Sequence, residues 1–220
     1  MKRAVFIFFL CLLSMVFNPA YVFAGAATGG NTVVVDPGHG GYDPGTVYGG
    51  VYEKEINLQI ALKLSDLLRE KGFNVVMTRI GDYNLAVSGL HAKEANRYDL
   101  GKRVEMAGQC NASLFVSIHT NSIRNTRCRG AEVFYNPGAE KSKILAECIQ
   151  TELHSIDDMV KRTAKASDYY VLRNTTMPSV LIEVGYLSNS GERNKLKNND
   201  YQLLLAEKIV SGIQKFNRAQ

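Results

Sequence analysis

Polar side chains interrupt or follow three apolar segments of the chain, which are residues 33–35, 115–118 and 180–184. His39 follows the first segment in a glycine-rich turn, His119 follows the second, and Glu183 lies inside the third. Neutral imidazoles and one carboxylate are the usual ligands of a hydrolytic zinc ion, which keeps a further position for water. A second carboxylate would then remain for proton transfer. These residue types predict a metal site, although the short zinc signature HExxH is absent from the sequence.

Each of these residues also has an ordinary structural interpretation. A histidine in a glycine-rich turn is often a loop side chain, His119 could be a hydrogen-bonded core residue, and Glu183 could face water on an edge strand. The strand ends favour a common site, because ligands of open α/β sheets bind beyond the carboxyl ends of the strands. A carboxylate in a buried strand also costs several kcal/mol unless it is paired, metal-bound or catalytic. His91 and His154 are weaker candidates, and we expect both to face solvent.

The carboxylate that would complete the metal site is not fixed by this chemistry. The candidates on the amino-terminal side of the chain are Asp36, Asp43, Glu53 and Glu55. The residues alone leave all of them open.

The elements that must position these residues alternate between strands and helices. The predicted strands are residues 32–35, 73–77, 114–118, 131–135, 169–172 and 180–184, and the predicted helices are 55–71, 100–107, 139–153 and a last helix capped by Asp200. This alternation predicts a single α/β domain with a mostly parallel twisted sheet of about six strands and helices on both faces. Residues 80–99 are polar and aperiodic, so we expect a functional surface loop that contacts substrate or a partner.

Composition excludes several classes of protein. With 45% hydrophobic and 21% charged residues, the chain resembles an ordinary globular protein, not a disordered, collagen-like or polytopic membrane protein. The formal net charge of +5 is mild, without a dense basic run or any tryptophan, so we expect no nucleic-acid binding.

The amino terminus has the pattern of an export signal. Lys2 and Arg3 precede the apolar residues 4–17, and the small-residue pattern at 22–24 predicts cleavage after Ala24. Residues 1–24 are therefore predicted to be a signal peptide, with an uncleaved membrane anchor as the alternative, residues 25–31 a linker, and residues 32–220 the folded domain. Either way the domain would work outside the cytoplasm. The remaining cysteines are expected to be non-catalytic, with any disulfide among them left open; they are Cys110, Cys128 and Cys148.

Four segments together resemble the zinc-dependent N-acetylmuramoyl-L-alanine amidases of bacterial cell-wall turnover. They are DPGHGGYDPG at 36–45, YEKEINLQIA at 52–61, LFVSIHTNS at 114–122 and VLIEVGYLSN at 180–189. The resemblance implies that one Zn²⁺ is held by His39, Glu53 and His119, and that Glu183 is catalytic. Glu53 matches the family's ligand because it precedes a lysine, which Glu55 does not. The chain departs from the family at 107–108, where Ala-Gly replaces the common Ala-Asn.

The resemblance implies hydrolysis of the amide between the lactyl group of N-acetylmuramic acid and L-alanine in peptidoglycan. The extended segment before Arg103 and the compact tail resemble the sporulation subtype, which implies action on spore cortex as a step toward muramic-δ-lactam. The expected partner is the peptidoglycan substrate, with room for an activator protein and with membrane contact only through an uncleaved signal. The alternatives are another zinc hydrolase of the cell wall, either a peptidase or a deacetylase, and a muropeptide-binding module without catalysis.

Overall fold

The structure, a computed structural model, describes residues 31–219. The predicted signal at 1–24 and residues 25–30 of the predicted linker lie outside the described residues, and so does residue 220. None of the helices within residues 31–219 has the length and apolar character of a bilayer-spanning segment.

The described residues alternate between strands and helices along most of their length. The strands are β1 Thr32–Pro37, β2 Val47–Tyr48, β3 Val51–Tyr52, β4 Asn74–Met77, β5 Leu114–Asn121, β6 Glu132–Tyr135, β7 Lys165–Ala166 and β8 Ser179–Tyr186. The helices are α1 Glu53–Glu70, α2 Ala92–Gln109, α3 Glu140–Leu153, α4 Tyr170–Asn174, α5 Ser190–Leu196 and α6 Asn199–Arg218. Strands β2 and β3 form a separate two-stranded hairpin between β1 and α1.

The main sheet has six strands in the order β4-β1-β5-β8-β6-β7. All neighbours are parallel except β6 and β8, which run antiparallel. Strands β1, β5 and β8 lie side by side in the sheet interior, so their carboxyl ends meet at one edge. The segments that precede His39 and His119 and that contain Glu183 therefore end next to one another.

Helices cover both faces of this sheet. On one face, α1, α3 and α6 pack together over the side chains of Val33 and Val35. On the other face, α2 and α4 cover Val34. These three valines are fully buried because alternate side chains of a strand enter opposite cores. The predicted α/β fold, with a mostly parallel six-stranded sheet between two helical layers, is confirmed.

Three local predictions are wrong. Helix α6 is capped by Asn198, whose side-chain oxygen accepts a hydrogen bond from the backbone N–H of Tyr201, and Asp200 lies inside the first turn. Residues 169–172 form the start of helix α4 and not a strand, because a short apolar run can also be one buried side of a helix; Val171 and Leu172 are its buried residues. Helix α2 begins at Ala92, so the polar connection after β4 is shorter than the predicted loop 80–99. The cysteines at 110, 128 and 148 are half-buried and form no disulfide within residues 31–219.

Candidate metal centre

Three potential metal ligands from three separate elements meet at the carboxyl edge of the sheet. His39 lies in the turn after β1, Glu53 is the first residue of α1, and His119 lies near the end of β5. One ligand atom from each residue lies within 4.8 Å of the others. Oε1 of Glu53 is 3.2 Å from Nε2 of His39 and 3.1 Å from Nδ1 of His119.

Glycines allow these side chains to come so close. A Cβ atom on Gly38 would lie 2.2 Å from Cε1 of His119, and one on Gly45 would lie 2.7 Å from both Oε2 of Glu53 and Cδ2 of His39. His39 itself has a left-handed backbone with φ of 63°, which is uncommon for a residue with a side chain. The glycine-rich sequence of this turn is therefore required by the close packing of the ligands.

Asp43 orients the imidazole of His39. Its Oδ2 lies 2.8 Å from Nδ1 of His39, and its Oδ1 accepts a hydrogen bond from the backbone N–H of Gly45. A proton on Nδ1 donated to Asp43 leaves the lone pair of Nε2 directed toward Glu53. Carboxylates commonly fix the tautomer of metal-binding histidines in this way. Asp43, which the sequence left among the ligand candidates, is thus placed behind a ligand.

The carboxylate of Glu53 is buried and extensively hydrogen-bonded. The backbone N–H groups of Thr46 and Thr120 donate to it at 2.8 and 3.1 Å, and Nδ2 of Asn57 donates at 3.3 Å. Burial alone would raise the pKa of Glu53, but hydrogen bonds with His119 and His39 and their positive charge outweigh it and lower the pKa well below its ordinary value. Glu53 therefore carries a negative charge at neutral pH.

The protein groups around His39 stabilise positive charge. Burial acts to lower the pKa of His39, but the hydrogen bonds and charges of Asp43 and Glu53 outweigh it and raise the pKa to about 10. A divalent cation gains from the same two carboxylates. Two imidazoles and one carboxylate within this spacing match the donor set of a catalytic zinc site, so the residues fit that metal.

Glu183 lies beside the three ligands on the central strand β8. Its Cα is paired in register with that of His119 on β5 and with that of Glu132 on β6. The residue is 8% exposed, which rules out the alternative of an edge strand facing water. Its Oε2 is buried, and no other residue that the structure describes forms a hydrogen bond with it. Burial, followed by the nearby charge of Glu53, raises the pKa of Glu183 to about 8.

The neighbouring carboxylate of Glu132 shows what is unusual about Glu183. Glu132 is also buried, but Arg162 and Lys165 lie 2.8 and 2.9 Å from its Oε1. It is therefore a paired structural acid. Within residues 31–219 Glu183 has no such paired cation, and it lines a cleft together with His39 and Tyr169.

The other acids considered from the sequence do not join the cluster. Asp36 is 1% exposed and forms an ion pair with Arg103 at 2.7 Å, while hydroxyl groups of Thr78 and Ser117 also donate to it. The charge of Arg103 and these hydrogen bonds outweigh burial and lower the pKa of Asp36. Glu55 is exposed on α1.

The two weaker histidine candidates lie outside the cluster. His91 is exposed, as expected. His154 is half-buried and not solvent-facing, because its Nε2 accepts a hydrogen bond from the backbone N–H of Arg162 at 3.0 Å and also contacts Gln150. His154 is the C-cap residue of α3 and is not one of the three clustered ligands.

Sequence reasoning missed two residues at the site. Tyr169 lines the cleft beside Glu183, and its ring packs edge-on against Phe134 at a centroid distance of 5.5 Å. Arg79 is 1% exposed and contacts the backbone of the His39 turn. Its position two residues after the apolar strand 73–77 was the available signal, since positions just beyond strand ends also pointed to His39 and His119.

The comparison with protein families identifies the chain's relatives. The family model described as N-acetylmuramoyl-L-alanine amidase matches residues 33–215, which include every residue of the cluster. The chain belongs to this family. The predicted family and enzyme class are thereby confirmed.

Individual relatives resemble the chain over most of its length. It is 35% identical over 189 residues to the germination-specific N-acetylmuramoyl-L-alanine amidase of Bacillus subtilis strain 168, covering 85% of this chain and 80% of that protein. Among solved structures, the CwlD amidase of Clostridioides difficile, in complex with the GerS lipoprotein, is 38% identical with a TM-score of 0.84. That match covers 87% of this chain and 100% of the other. An N-acetylmuramoyl-L-alanine amidase from Clostridium difficile 630 is 35% identical with a TM-score of 0.78, covering 86% of this chain and 98% of that one.

Proposed function

We propose that the chain is a zinc-dependent N-acetylmuramoyl-L-alanine amidase, which hydrolyses the amide between the lactyl group of N-acetylmuramic acid and L-alanine. The observation that carries the proposal is the cluster of His39, Glu53 and His119 beside Glu183, whose buried Oε2 has no hydrogen-bond partner in the part of the chain that the structure describes. Membership of the N-acetylmuramoyl-L-alanine amidase family supports the identity of the amide bond that is cleaved.

His39, Glu53 and His119 would hold one Zn²⁺ in this site. Glu53 is already ionised, and the contact of Asp43 with Nδ1 of His39 leaves Nε2 as the atom that would bind the metal, with release of the proton that the raised pKa of His39 keeps on the free imidazole. When bound, zinc supplies Lewis-acid chemistry, which polarises a carbonyl group and makes water acidic enough to react near neutral pH.

Glu183 is proposed to move the proton during hydrolysis. As a carboxylate it takes a proton from the attacking water, whose oxygen forms a bond to the lactyl carbonyl carbon. It then donates that proton to the nitrogen of L-alanine as the C–N bond breaks. The products are a free lactyl carboxylate and a stem peptide with a free amino terminus. Burial raises the pKa of Glu183 above the ordinary value of a carboxylic acid in the metal-free protein, which makes its carboxylate a stronger base for this proton transfer.

The proposed substrate is the peptidoglycan of the spore cortex, where removal of stem peptides is a step toward muramic-δ-lactam. The likeness to the germination-specific amidase of Bacillus subtilis supports this setting. Export through residues 1–24, either cleaved or retained as an anchor, would deliver the catalytic domain at 32–220 to that compartment. An activator protein is proposed as a partner, because the similar CwlD amidase was solved in complex with a lipoprotein.

Digestion of purified peptidoglycan tests this function. The purified protein is incubated with intact cortex and with vegetative peptidoglycan, with zinc or with a chelator, and new termini are identified by mass spectrometry. The proposal expects a new L-alanine amino terminus and a free lactyl carboxylate, formed only with zinc. Cleavage inside the stem peptide would indicate a peptidase, loss of acetyl groups a deacetylase, and zinc-independent binding without cleavage a recognition module.

A further inference from the structure

A short segment between β4 and α2 wraps around the turn that carries His39. This clamp segment, Arg79–Asn84, contacts the backbone of the turn at several points. Oδ1 of Asp82 accepts a hydrogen bond from the backbone N–H of Gly41 at 2.8 Å, and Nδ2 of Asn84 donates to the carbonyl oxygen of Gly40 at 3.3 Å. The fit is close, since a Cβ atom on Gly40 would lie 2.2 Å from the carbonyl oxygen of Tyr83.

One nitrogen of Arg79 joins the two chain segments that carry His39 and Glu53. Its Nη2 donates to the carbonyl oxygen of Gly38 at 2.9 Å and to that of Lys54 at 2.8 Å. Gly38 directly precedes His39, and Lys54 directly follows Glu53. The rigid guanidinium plane therefore fixes the distance between two ligand-bearing backbones.

The remaining donors of Arg79 anchor the guanidinium itself. Nε donates to the carbonyl oxygen of Pro37 at 2.9 Å, and Nη1 donates to that of Gly81 at 3.0 Å. Arg79 is only 1% exposed. Burying a cation is costly, and here its hydrogen bonds satisfy backbone carbonyl groups at the metal site.

Lys54 makes a second link on the far side of His39. Its Nζ donates to the carbonyl oxygen of Gly41 and to Oδ2 of Asp82, both at 2.8 Å. The turn is thus held to the start of α1 both before and after the ligand. These contacts stabilise the left-handed backbone conformation of His39, with φ of 63°. A turn without them would relax to a more favourable conformation.

We propose that Arg79 is a positioning residue that sets the spacing of His39 and Glu53 and thereby tightens metal binding, with Asp82 reinforcing the same clamp segment. The inference rests on the proposed metal site. Arg79 and Asp82 would act by holding the ligands in place, because the potential metal ligands are His39, Glu53 and His119.

Zinc affinity measured by competition with a chromophoric chelator tests the inference. The variants are Arg79→Lys, which keeps the charge but loses the fork, Arg79→Met, and Asp82→Asn on the exposed side of the clamp segment. Leu153→Ala is the matched control, because it removes core packing in α3, an element that carries none of the three ligands. We expect the Arg79 variants to bind zinc about 10- to 100-fold more weakly and to change the visible spectrum of the Co²⁺-substituted protein, as when other groups that orient ligands are lost.

The controls separate the possible outcomes. Asp82→Asn should also weaken zinc binding, by a smaller factor. If the Arg79 variants do not fold, the zinc affinity of Asp82→Asn tests whether the clamp segment tightens metal binding. Leu153→Ala should lower the melting temperature while its zinc affinity stays within about twofold of the parent. Folded Arg79 variants with parental zinc affinity and cobalt spectrum would overturn the inference, as would a loss of affinity matched by Leu153→Ala. A parent protein that binds no zinc would instead refute the metal site itself.

Discussion

The burial of Glu183 disfavours its charged form, so the free energy of unfolding should depend on pH in a definite direction. The pKa of this carboxyl is about 8 in the fold against an ordinary value of 4.5. Between these values the unfolded chain has lost the proton while the folded chain retains it. Unfolding therefore releases a proton, and the free energy of unfolding falls as pH rises from about 4.5 to 8.

The size of this effect follows from the two pKa values. Each pKa unit corresponds to 1.36 kcal/mol, so integration from pH 5 to pH 8 gives a loss of about 3 to 4 kcal/mol from this single group. Glu183→Gln keeps the shape of the side chain and removes its titration. We expect the variant to gain stability relative to the parent by about this amount over that pH range, although it should lose most hydrolysis and still bind zinc.

Denaturant unfolding followed by circular dichroism, with a chelator present, measures the difference at pH 5, 6, 7 and 8. Glu55→Gln serves as the control because that carboxylate is exposed on α1. Its difference from the parent should stay within about 0.5 kcal/mol at every pH. A Glu183→Gln difference that stays constant or shrinks toward pH 8 would refute the assigned burial cost.

Three further substitutions test the metal centre. Asp43→Asn removes the carboxylate that orients His39 and should weaken zinc binding about 10- to 100-fold in a chelator competition; unchanged affinity would contradict that role. Gly38→Ala places a Cβ atom 2.2 Å from Cε1 of His119 and should abolish most peptide release, whereas Gly108→Ala, with open space around it, should retain parental activity. Parental turnover in Gly38→Ala would show that the imidazole is free to move. His119→Ala should lose both zinc and hydrolysis, and full zinc occupancy by metal analysis would exclude His119 as a ligand.

The position of the site could be predicted because its residues interrupt apolar strands. A histidine after a buried strand, and a carboxylate inside one, are visible in sequence, and parallel strands bring their carboxyl ends to one edge. The choice of Glu53 over Asp43 needed the resemblance to the family. In the structure both carboxylates contact His39, so their different positions around the imidazole are a matter of three-dimensional geometry.

Other features depend on contacts that local sequence does not encode. The antiparallel direction of β6 relative to β8 is one such feature, since the hydrophobic pattern of a strand is the same in either direction. The short helix α4 resembled a strand because its two buried residues are adjacent. Arg79 lies between the predicted strand 73–77 and the predicted loop 80–99, and its role emerges only where its guanidinium meets carbonyl groups from residues 38 and 54.

Anomalous X-ray scattering at the zinc edge, from crystals of the zinc-loaded protein, tests the central claim most directly. We expect one strong peak within coordination distance of Nε2 of His39, a carboxylate oxygen of Glu53 and an imidazole nitrogen of His119. Glu183 should lie beside this peak and outside the coordination sphere. A peak elsewhere, or a peak ligated by Glu183 in place of Glu53, would contradict it.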